Sequence, residues 1–307
     1  GSTSDVVHKQ LLELKSSKED GFSLRPEATA SIVRSYIEHR FDKKEGLSKI
    51  YYIGPMFRGE RPQKGRLRQF HQIGAEVLGP KAGHPYLDVE IMMLSMALLQ
   101  GFGVEGSELT LNTLGSTADK DNLSQWLRSS LEGAKGFLCE DCQSRFERNI
   151  FRVLDCKKDA CQKQVSSLQL DHSYLSQESQ DHYALVKQGL DSLGLAYKED
   201  VTLVRGLDYY THTVFEITNK NLGSQDAICA GGRYNHLLKQ LGGEDVPAVG
   251  FALGIERVIL AQKNQENILE SALDGYILAL DPAAKQQGLL LLAQLRSEGV
   301  AVDMNFR

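Results

Sequence analysis

The stretch Tyr51–Gly79, YYIGPMFRGERPQKGRLRQFHQIGAEVLG, decides how the chain is read. It places five cations (Arg58, Arg61, Lys64, Arg66, Arg68) in eleven residues, against the single carboxylate of Glu60. Lys49 to Phe57 before this cluster and Gln69 to Leu78 after it read as strands. The centre, Gly59 to Gly65, holds Pro and two Gly, the composition of a hairpin turn or a longer connecting loop. A hairpin lined with arginines suits a polyphosphate, because guanidinium presents fixed, bidentate donors to phosphate oxygens. A solvated hairpin with scattered charge is the plainer alternative. The second strand argues against it: Gln72 and Glu76 sit in a stretch otherwise patterned for burial, and buried polar groups need partners.

Working outward, the 307 residues suffice for one large domain or several smaller ones. Apolar content of 41% and charged content of 24% are those of an ordinary globular protein. No apolar run reaches the ~18 residues of a membrane span, and the N-terminal sequence has no signal-peptide core. A cytoplasmic protein with reduced thiols and no membrane partner is expected. The net charge of −5 does not exclude nucleic acid, since the cations are clustered.

Val6 to Leu14 has helical spacing, and Glu27 to Arg40 reads as an amphipathic helix with Ile32, Val33, Tyr36 and Ile37 on one face. Tyr86 to Leu99 is a further helix and Glu108 to Leu114 a strand. Residues 116–200 change to charged, helix-forming sequence, clearest at Asp119 to Leu131 and Gln177 to Leu193. Strands return at Val201 to Val204, Thr213 to Thr218 and Ala227 to Ala230. Helices follow at Arg233 to Leu241 and Ala252 to Lys263. After a polar linker at Lys263 to Glu270, the rest reads as strand (Asp274 to Leu280), helix (Pro282 to Glu298) and strand (Val300 to Met304), a βαβ-like unit. The domain expectation is therefore a core in two parts, 1–115 and 201–265, split by a helical insertion at 116–200 and followed by a further α/β segment at 266–307.

Three packets carry chemistry. In Arg205-Gly206-Leu207-Asp208-Tyr209-Tyr210 an Arg beside a Gly can approach a ligand, and the tyrosines offer flat hydrogen-bonding walls. In Ala230-Gly231-Gly232-Arg233-Tyr234 paired glycines precede a predicted helix, where backbone N–H groups could face an anion. In Gly250 to Arg257 an Arg lies at the start of an apolar helix and needs an anionic partner, either Glu256 or a bound phosphate. Separately, Cys139-x2-Cys142 and Cys156-x4-Cys161 approach a structural zinc pattern, although the x4 spacing loosens the match. Four free thiols in a small helical domain is the alternative. Cys229 stands apart and reads as a small packed side chain.

Taken together, these packets resemble the class II aminoacyl-tRNA synthetases, and within them the histidyl-tRNA synthetase family. The hairpin resembles the second class II motif and Gly250 to Leu260 the third. RGLDYY and GGRY resemble the two elements particular to the histidine enzymes, and Leu24 to Thr29 a substrate-binding segment. The resemblance implies an α+β fold: a class II antiparallel sheet flanked by helices, with an inserted helical module and the start of an α/β anticodon-binding domain. It implies that Arg58 and Arg205 act on the ATP α-phosphate as the histidine carboxylate attacks. Arg257 would hold the γ-phosphate end, with Arg66 and Glu60 also at the nucleotide. Glu27, Thr29 and Gln72 would receive the histidine ammonium group, and Glu76 and Tyr210 its imidazole, with Tyr209 and Tyr234 beside them. An imidazole has a donor and an acceptor, so a carboxylate facing a phenol reads both. Arg61, Gln63 and Lys64 at the loop tip are left for the tRNA acceptor end.

Substrates are then histidine, ATP with Mg²⁺ and tRNA(His), and the complete protein would be a homodimer. Asn235 stands where the family has Asp, and Ala28 where it has Gly. The first class II motif is expected upstream of Gly1 and the anticodon domain beyond Arg307, so the chain reads as part of a longer protein. Two other readings compete. One is the catalytically silent paralogue that regulates ATP phosphoribosyltransferase; the other is a zinc-stabilised nucleic-acid module. The presence of Arg58, Arg205 and Arg257 together favours the enzyme.

Overall fold

The structure, a computed structural model, describes residues 10–14, 21–43, 46–223, 226–262 and 273–305. It divides into two compact units, residues 1–262 and 263–307. In chain order the elements of the first unit begin with a short antiparallel hairpin, β1 (Leu12–Leu14) and β2 (Phe22–Leu24). Then come α1 (Thr29–Glu38), β3 (Ser48–Phe57), β4 (Gln69–Leu78), α2 (Tyr86–Gly101) and β5 (Ser107–Thr113). A helical stretch follows: α3 (Thr117–Leu131), α4 (Glu140–Arg148), α5 (Phe151–Leu154), α6 (Asp159–Ser166) and α7 (Gln177–Ser192). The unit closes with β6 (Lys198–Glu199), β7 (Thr211–Asn219), β8 (Ala227–Arg233), α8 (Leu237–Gln240), β9 (Ala248–Gly254) and α9 (Ile255–Ala261).

Seven strands form one sheet in the order β3-β4-β9-β8-β7-β5-β6, antiparallel except for the parallel β5–β6 edge pair. Alternation along its central strands separates two faces. Ile73, Val77, Val249, Phe251, Leu253, Cys229, Phe215 and Ile217 point to one side and pack with Val89, Ile91 and Met92 of α2 and Val186 and Leu190 of α7. Cys229 lies in this core, among apolar side chains. The residues between them, Gln72, Gly74, Glu76, Gly250, Ala252, Gly254, Ala230, Gly232 and Glu216, are small or polar. Register aligns them into rows: Glu76, Gly250 and Gly232 form one, and Gly74, Ala252, Ala230 and Glu216 the next. Large side chains build the core on one face, and their absence leaves room on the other.

The helical insertion has its own core. Leu123, Leu127 and Leu131 of α3 meet Cys142, Phe146, Val153 and Cys161, and the cluster runs on to Val204 and Val214. A capping box starts α3, with Ser116 and Asp119 each satisfying the other's backbone. In the second unit, β10 (Gly275–Ile277), α10 (Pro282–Ser297) and β11 (Val302–Met304) form a parallel βαβ unit over Ala279, Leu292, Val302 and Met304.

Several sequence expectations are corrected. Val6 to Leu14 is not a helix where it is described: Leu12–Leu14 pairs with Phe22–Leu24, and the Gln10 carbonyl accepts the Gly59 N–H at 2.7 Å. The remainder of that segment, and the linker Lys263 to Glu270, lie outside the described residues. Val201 to Val204 is no strand, because the Val201 and Leu203 carbonyls are taken by the Asn112 amide at 3.2 and 3.0 Å. The helix predicted from Arg233 is reduced to Leu237–Gln240, and Arg233 ends β8 opposite Val249. The helix predicted from Ala252 starts at Ile255, because Ala252 and Leu253 are held in a central strand between β4 and β8. Helical spacing loses to two ladders of hydrogen bonds.

Candidate active site

On the small-residue face lies a cavity of about 520 Å³. Its floor is the sheet; α1, the hairpin loop, the Arg205 segment and the insertion form its walls. Arg58, Arg66, Arg205 and Arg257, far apart in sequence, all line it, as do Glu27, Thr29, Gln72, Tyr209 and Tyr210. The arginine packets and the polar strand thus meet in one place.

At one end the arginines are held by carboxylates and carbonyls. Arg58 donates from Nε to the Pro26 carbonyl at 2.9 Å and lies over the Phe70 ring, 5.0 Å from its centre. Burial lowers its pKa, opposed by the Glu60 charge. Glu60 reaches Arg66 Nε at 2.6 Å and Arg58 Nη1 at 3.9 Å, so one carboxylate organises two cations. Arg257, in the first turn of α9, donates to the Gly65 carbonyl at 2.7 Å and to the Ala227 carbonyl, tying the hairpin loop to the third packet. Glu256 is not its partner: that carboxylate accepts the His71 N–H at 3.0 Å and contacts the His71 ring at 2.9 Å. Arg205 pairs with Glu216 of β7, and that charge raises its pKa against the effect of burial.

The other end is drier. Glu76 is fully buried and accepts from Thr29 Oγ1 at 2.7 Å and from the Tyr234 hydroxyl. Burial is the main influence on it and pushes its pKa up to about 8, although both hydrogen bonds work in the opposite direction. The phenol on Glu76 is that of Tyr234. Tyr210 packs instead at a tilt against Tyr209, ring centres 4.9 Å apart, and Tyr209 meets Tyr234 edge-on at 5.7 Å. Glu76 and Tyr234 stand behind the cavity wall, whereas Gln72 and Tyr52 reach it. The Gln72 Oε1 and Tyr52 hydroxyl are buried without a hydrogen-bond partner, and a polar ligand would satisfy them. Glu27 caps α1 by accepting the Ala30 N–H at 3.1 Å, and burial raises its pKa.

Gly250 explains how the carboxylate fits, since a Cβ there would lie 1.7 Å from Glu76 Oε2. The paired glycines of the second packet are not at a helix N-terminus. They lie within β8, where Gly232 adopts φ +155° with Tyr210 against it. The Arg of the same packet is structural: Arg233 is fully buried, paired with Asp88 and bonded to the Ala82 carbonyl at 2.8 Å. Asn235 supplies a neutral acceptor to Arg233 and to the Ala248 N–H, each at 3.3 Å.

Arg61, Gln63 and Lys64 are exposed and do not line the cavity. Sequence reasoning missed Glu216, Tyr52 and Phe70, along with three cations from the insertion, Arg145, Arg152 and Lys157, that also line it. The alternation of THTVFEIT could have flagged Glu216 as the one acid on a strand face. The insertion residues carried no such signal. Cys139, Cys142, Cys156 and Cys161 do converge, all four Sγ atoms lying within 4.8 Å of one another.

An antiparallel sheet with a basic cavity on one face, a helical insertion and an arginine on the helix after the last strand defines a class II aminoacyl-tRNA synthetase catalytic domain. Comparison with known proteins narrows this. The histidyl-tRNA synthetase family model matches residues 1–258. A histidine–tRNA ligase from Natranaerobius thermophilus is 43% identical over the whole chain, which spans 73% of that relative. One from Syntrophotalea carbinolica is 40% identical, with 72% of its length spanned. The apo structure of the S. aureus histidyl-tRNA synthetase superposes with a TM-score of 0.72 at 36% identity, covering 96% of this chain and 72% of that one. The chain belongs to the histidyl-tRNA synthetase family and is an aminoacyl-tRNA synthetase, a ligase. A Bacillus halodurans structure described as an ATP phosphoribosyltransferase regulatory subunit/histidyl-tRNA synthetase has a TM-score of 0.69 at 22% identity and shares the fold. The regulatory alternative is not favoured.

Proposed function

We propose that the cavity is where histidine and ATP are joined, before the histidyl group passes to the terminal ribose of tRNA(His). The observation that carries this is the convergence of Arg58, Arg205 and Arg257 on one cavity that also holds Glu27, Thr29 and Gln72. The histidine carboxylate attacks the α-phosphorus, pyrophosphate leaves, and an adenylate is formed. Arg58 and Arg205 stand for the negative charge that grows on the α-phosphate oxygens, and Arg257 and Arg66 for the rest of the polyphosphate. Cations already held in place by Glu60, Glu216 and backbone carbonyls need no reorganisation as charge develops. Glu60 and Glu216 also offer the oxygen donors that a Mg²⁺ would share with ATP phosphates; the ion would neutralise phosphate charge.

Glu27, Thr29 and Gln72 receive the ammonium group. Tyr209 and Tyr210, which line the cavity, flank the imidazole, while Glu76, behind the wall with Tyr234, positions Thr29 and acts on the ring from the second layer. A site whose buried polar groups need a partner rejects apolar analogues strongly. The exposed Arg61, Gln63 and Lys64 take the tRNA acceptor end. Residues 266–307, with their βαβ unit, are the start of the anticodon-binding domain, after a core at 1–115 and 201–265 interrupted by the 116–200 insertion.

Homodimer formation is supported by edge strand β3, whose Tyr51 and Ile53 are 78% and 64% exposed. A cytoplasmic location accords with the tRNA substrate; among the described residues no helix is long and apolar enough to cross a membrane. The decisive experiment is histidine-dependent ATP–pyrophosphate exchange. Arg205→Ala should cost about 3 kcal/mol of transition-state stabilisation, as loss of one preorganised donor does elsewhere. Near-normal exchange would remove Arg205 from the reaction.

A further inference from the structure

The insertion brings Cys139 at the N-cap of α4, Cys142 in the first turn of α4, Cys156 just after α5 and Cys161 in α6 to a single point. Their Sγ atoms all lie within 4.8 Å of one another, and Cys139 Sγ faces Cys156 Sγ at 3.9 Å. Four thiolates around a tetrahedral zinc at ~2.3 Å are spaced about 3.8 Å apart, the edge of that tetrahedron. The Cys139 N–H also points at Cys161 Sγ at 3.2 Å, a donor suited to a sulfur carrying negative charge. Cys142, Cys156 and Cys161 are buried, and all four are free of disulfides. The three helices that supply them are short, at nine, four and eight residues, below the length at which helices hold their own shape in water.

We propose that Cys139, Cys142, Cys156 and Cys161 form a structural zinc site that fixes the insertion as a basic wall of the nucleotide cavity. The residues beside the sulfurs tie them to the cavity. Cys156 stands between Asp155 and Lys157, both of which line the cavity, as do Arg152 of α5 and Arg145 of α4. Arg152 is braced by Asp155 at 2.7 Å, one residue from the proposed ligand. Four ligands close the coordination sphere, so the metal holds structure and leaves no position for substrate. Zinc is favoured because four thiolates on tetrahedral spacing suit it, whereas magnesium takes oxygen donors. The metal site rests on the cysteines alone. Its coupling to the nucleotide rests on reading the cavity as the ATP site.

The test begins with elemental analysis of the full chain purified without chelator. Zinc close to one ion per chain is expected, with Cys139→Ser and Cys161→Ser each losing it. Should those variants fail to fold, exchange of cobalt into the wild-type protein gives a second reading, through the intense visible bands of a tetrahedral thiolate site. Metal-free wild-type protein with an unchanged melting curve, or iron in place of zinc, would overturn the site. For the coupling, pyrophosphate exchange is measured at saturating Mg²⁺ on the zinc-loaded protein and on protein stripped of zinc from which the chelator has been removed. The KM for ATP should rise several-fold with the KM for histidine little changed, and Lys157→Ala should reproduce part of that rise while keeping its zinc. Equal rises in both KM values would overturn the coupling and leave the metal site standing. If calorimetry showed no ATP binding to the zinc-loaded wild type, the reading of the cavity would fail instead.

Discussion

Two arginine–carboxylate pairs, Arg233 of β8 with Asp88 of α2 and Arg205 of the loop before β7 with Glu216 of that strand, do different work. Arg233 and Asp88 are wholly buried. Arg233 also bonds the Ala82 and His84 carbonyls and Asn235, while Asp88 accepts from Thr213 at 2.6 Å and meets His182 at 2.8 Å. Burial alone would raise the Asp88 carboxyl, but Arg233 and His182 outweigh it and hold it at about 2. This network clamps β7, β8, α2 and α7 together. Arg205 and Glu216 remain about one-fifth exposed on the cavity side, and the pair occupies one nitrogen of the guanidinium. A saturated arginine is scaffold; one that faces a cavity with donors to spare can take a phosphate. Both belong to family motifs, so motif membership alone does not separate them.

The comparison breaks most clearly on stability. Arg233→Ala should destabilise the fold by about 3–5 kcal/mol, because it strands a buried carboxylate. Arg205→Ala should leave the denaturant midpoint nearly unchanged while activity falls. Comparable unfolding in both would erase the distinction.

A second, smaller effect separates the two buried carboxylates by pH. Glu76 keeps its proton in the folded state up to about 8, but in the unfolded chain only to its ordinary value of 4.5. Stability attached to Glu76 is therefore complete below about 4.5 and lost as pH rises through about 8. Glu76→Gln should abolish that decline, so that a denaturant titration no longer shows stability falling between about pH 4.5 and 8. Asp88 runs the other way, its contribution present above its ordinary 3.8 and lost as pH falls through about 2.

Gly250→Ala ranks next, at about 1–3 kcal/mol of overpacking. Because the new methyl would strike Glu76, calorimetry should show histidine binding weakened more than ATP binding. Least of all, Lys64→Ala should move stability by less than about 0.5 kcal/mol, as exposed substitutions do. It should raise the KM for tRNA while leaving pyrophosphate exchange untouched.

Much of this was legible in the chain itself. The hairpin strands, α1, α2 and α7 follow from local periodicity, and the strand spanning Gln69 to Leu78 is found where it was read. Arg58, Arg66, Arg205 and Arg257 were named from residue chemistry and motif resemblance, and they share a cavity. Errors clustered where a strand runs through the middle of the sheet. Ala252-Leu253 and Gly232-Arg233 have spacing that suits a helix or turn, but both segments pair on two sides. Non-local hydrogen bonds leave no trace in a local pattern. The insertion's cavity-facing cations were invisible for the same reason, since nothing near Arg152 or Lys157 in sequence reveals the fold-back.

The sequence by itself determined the chemistry available: a polar hairpin strand, four well-placed arginines and two cysteine pairs. Those depend on residue type and short-range spacing. Tertiary structure alone decided which arginine is scaffold, which phenol meets Glu76, and that the four sulfurs converge. Each of these depends on the distance between segments tens to hundreds of residues apart, which register and packing set.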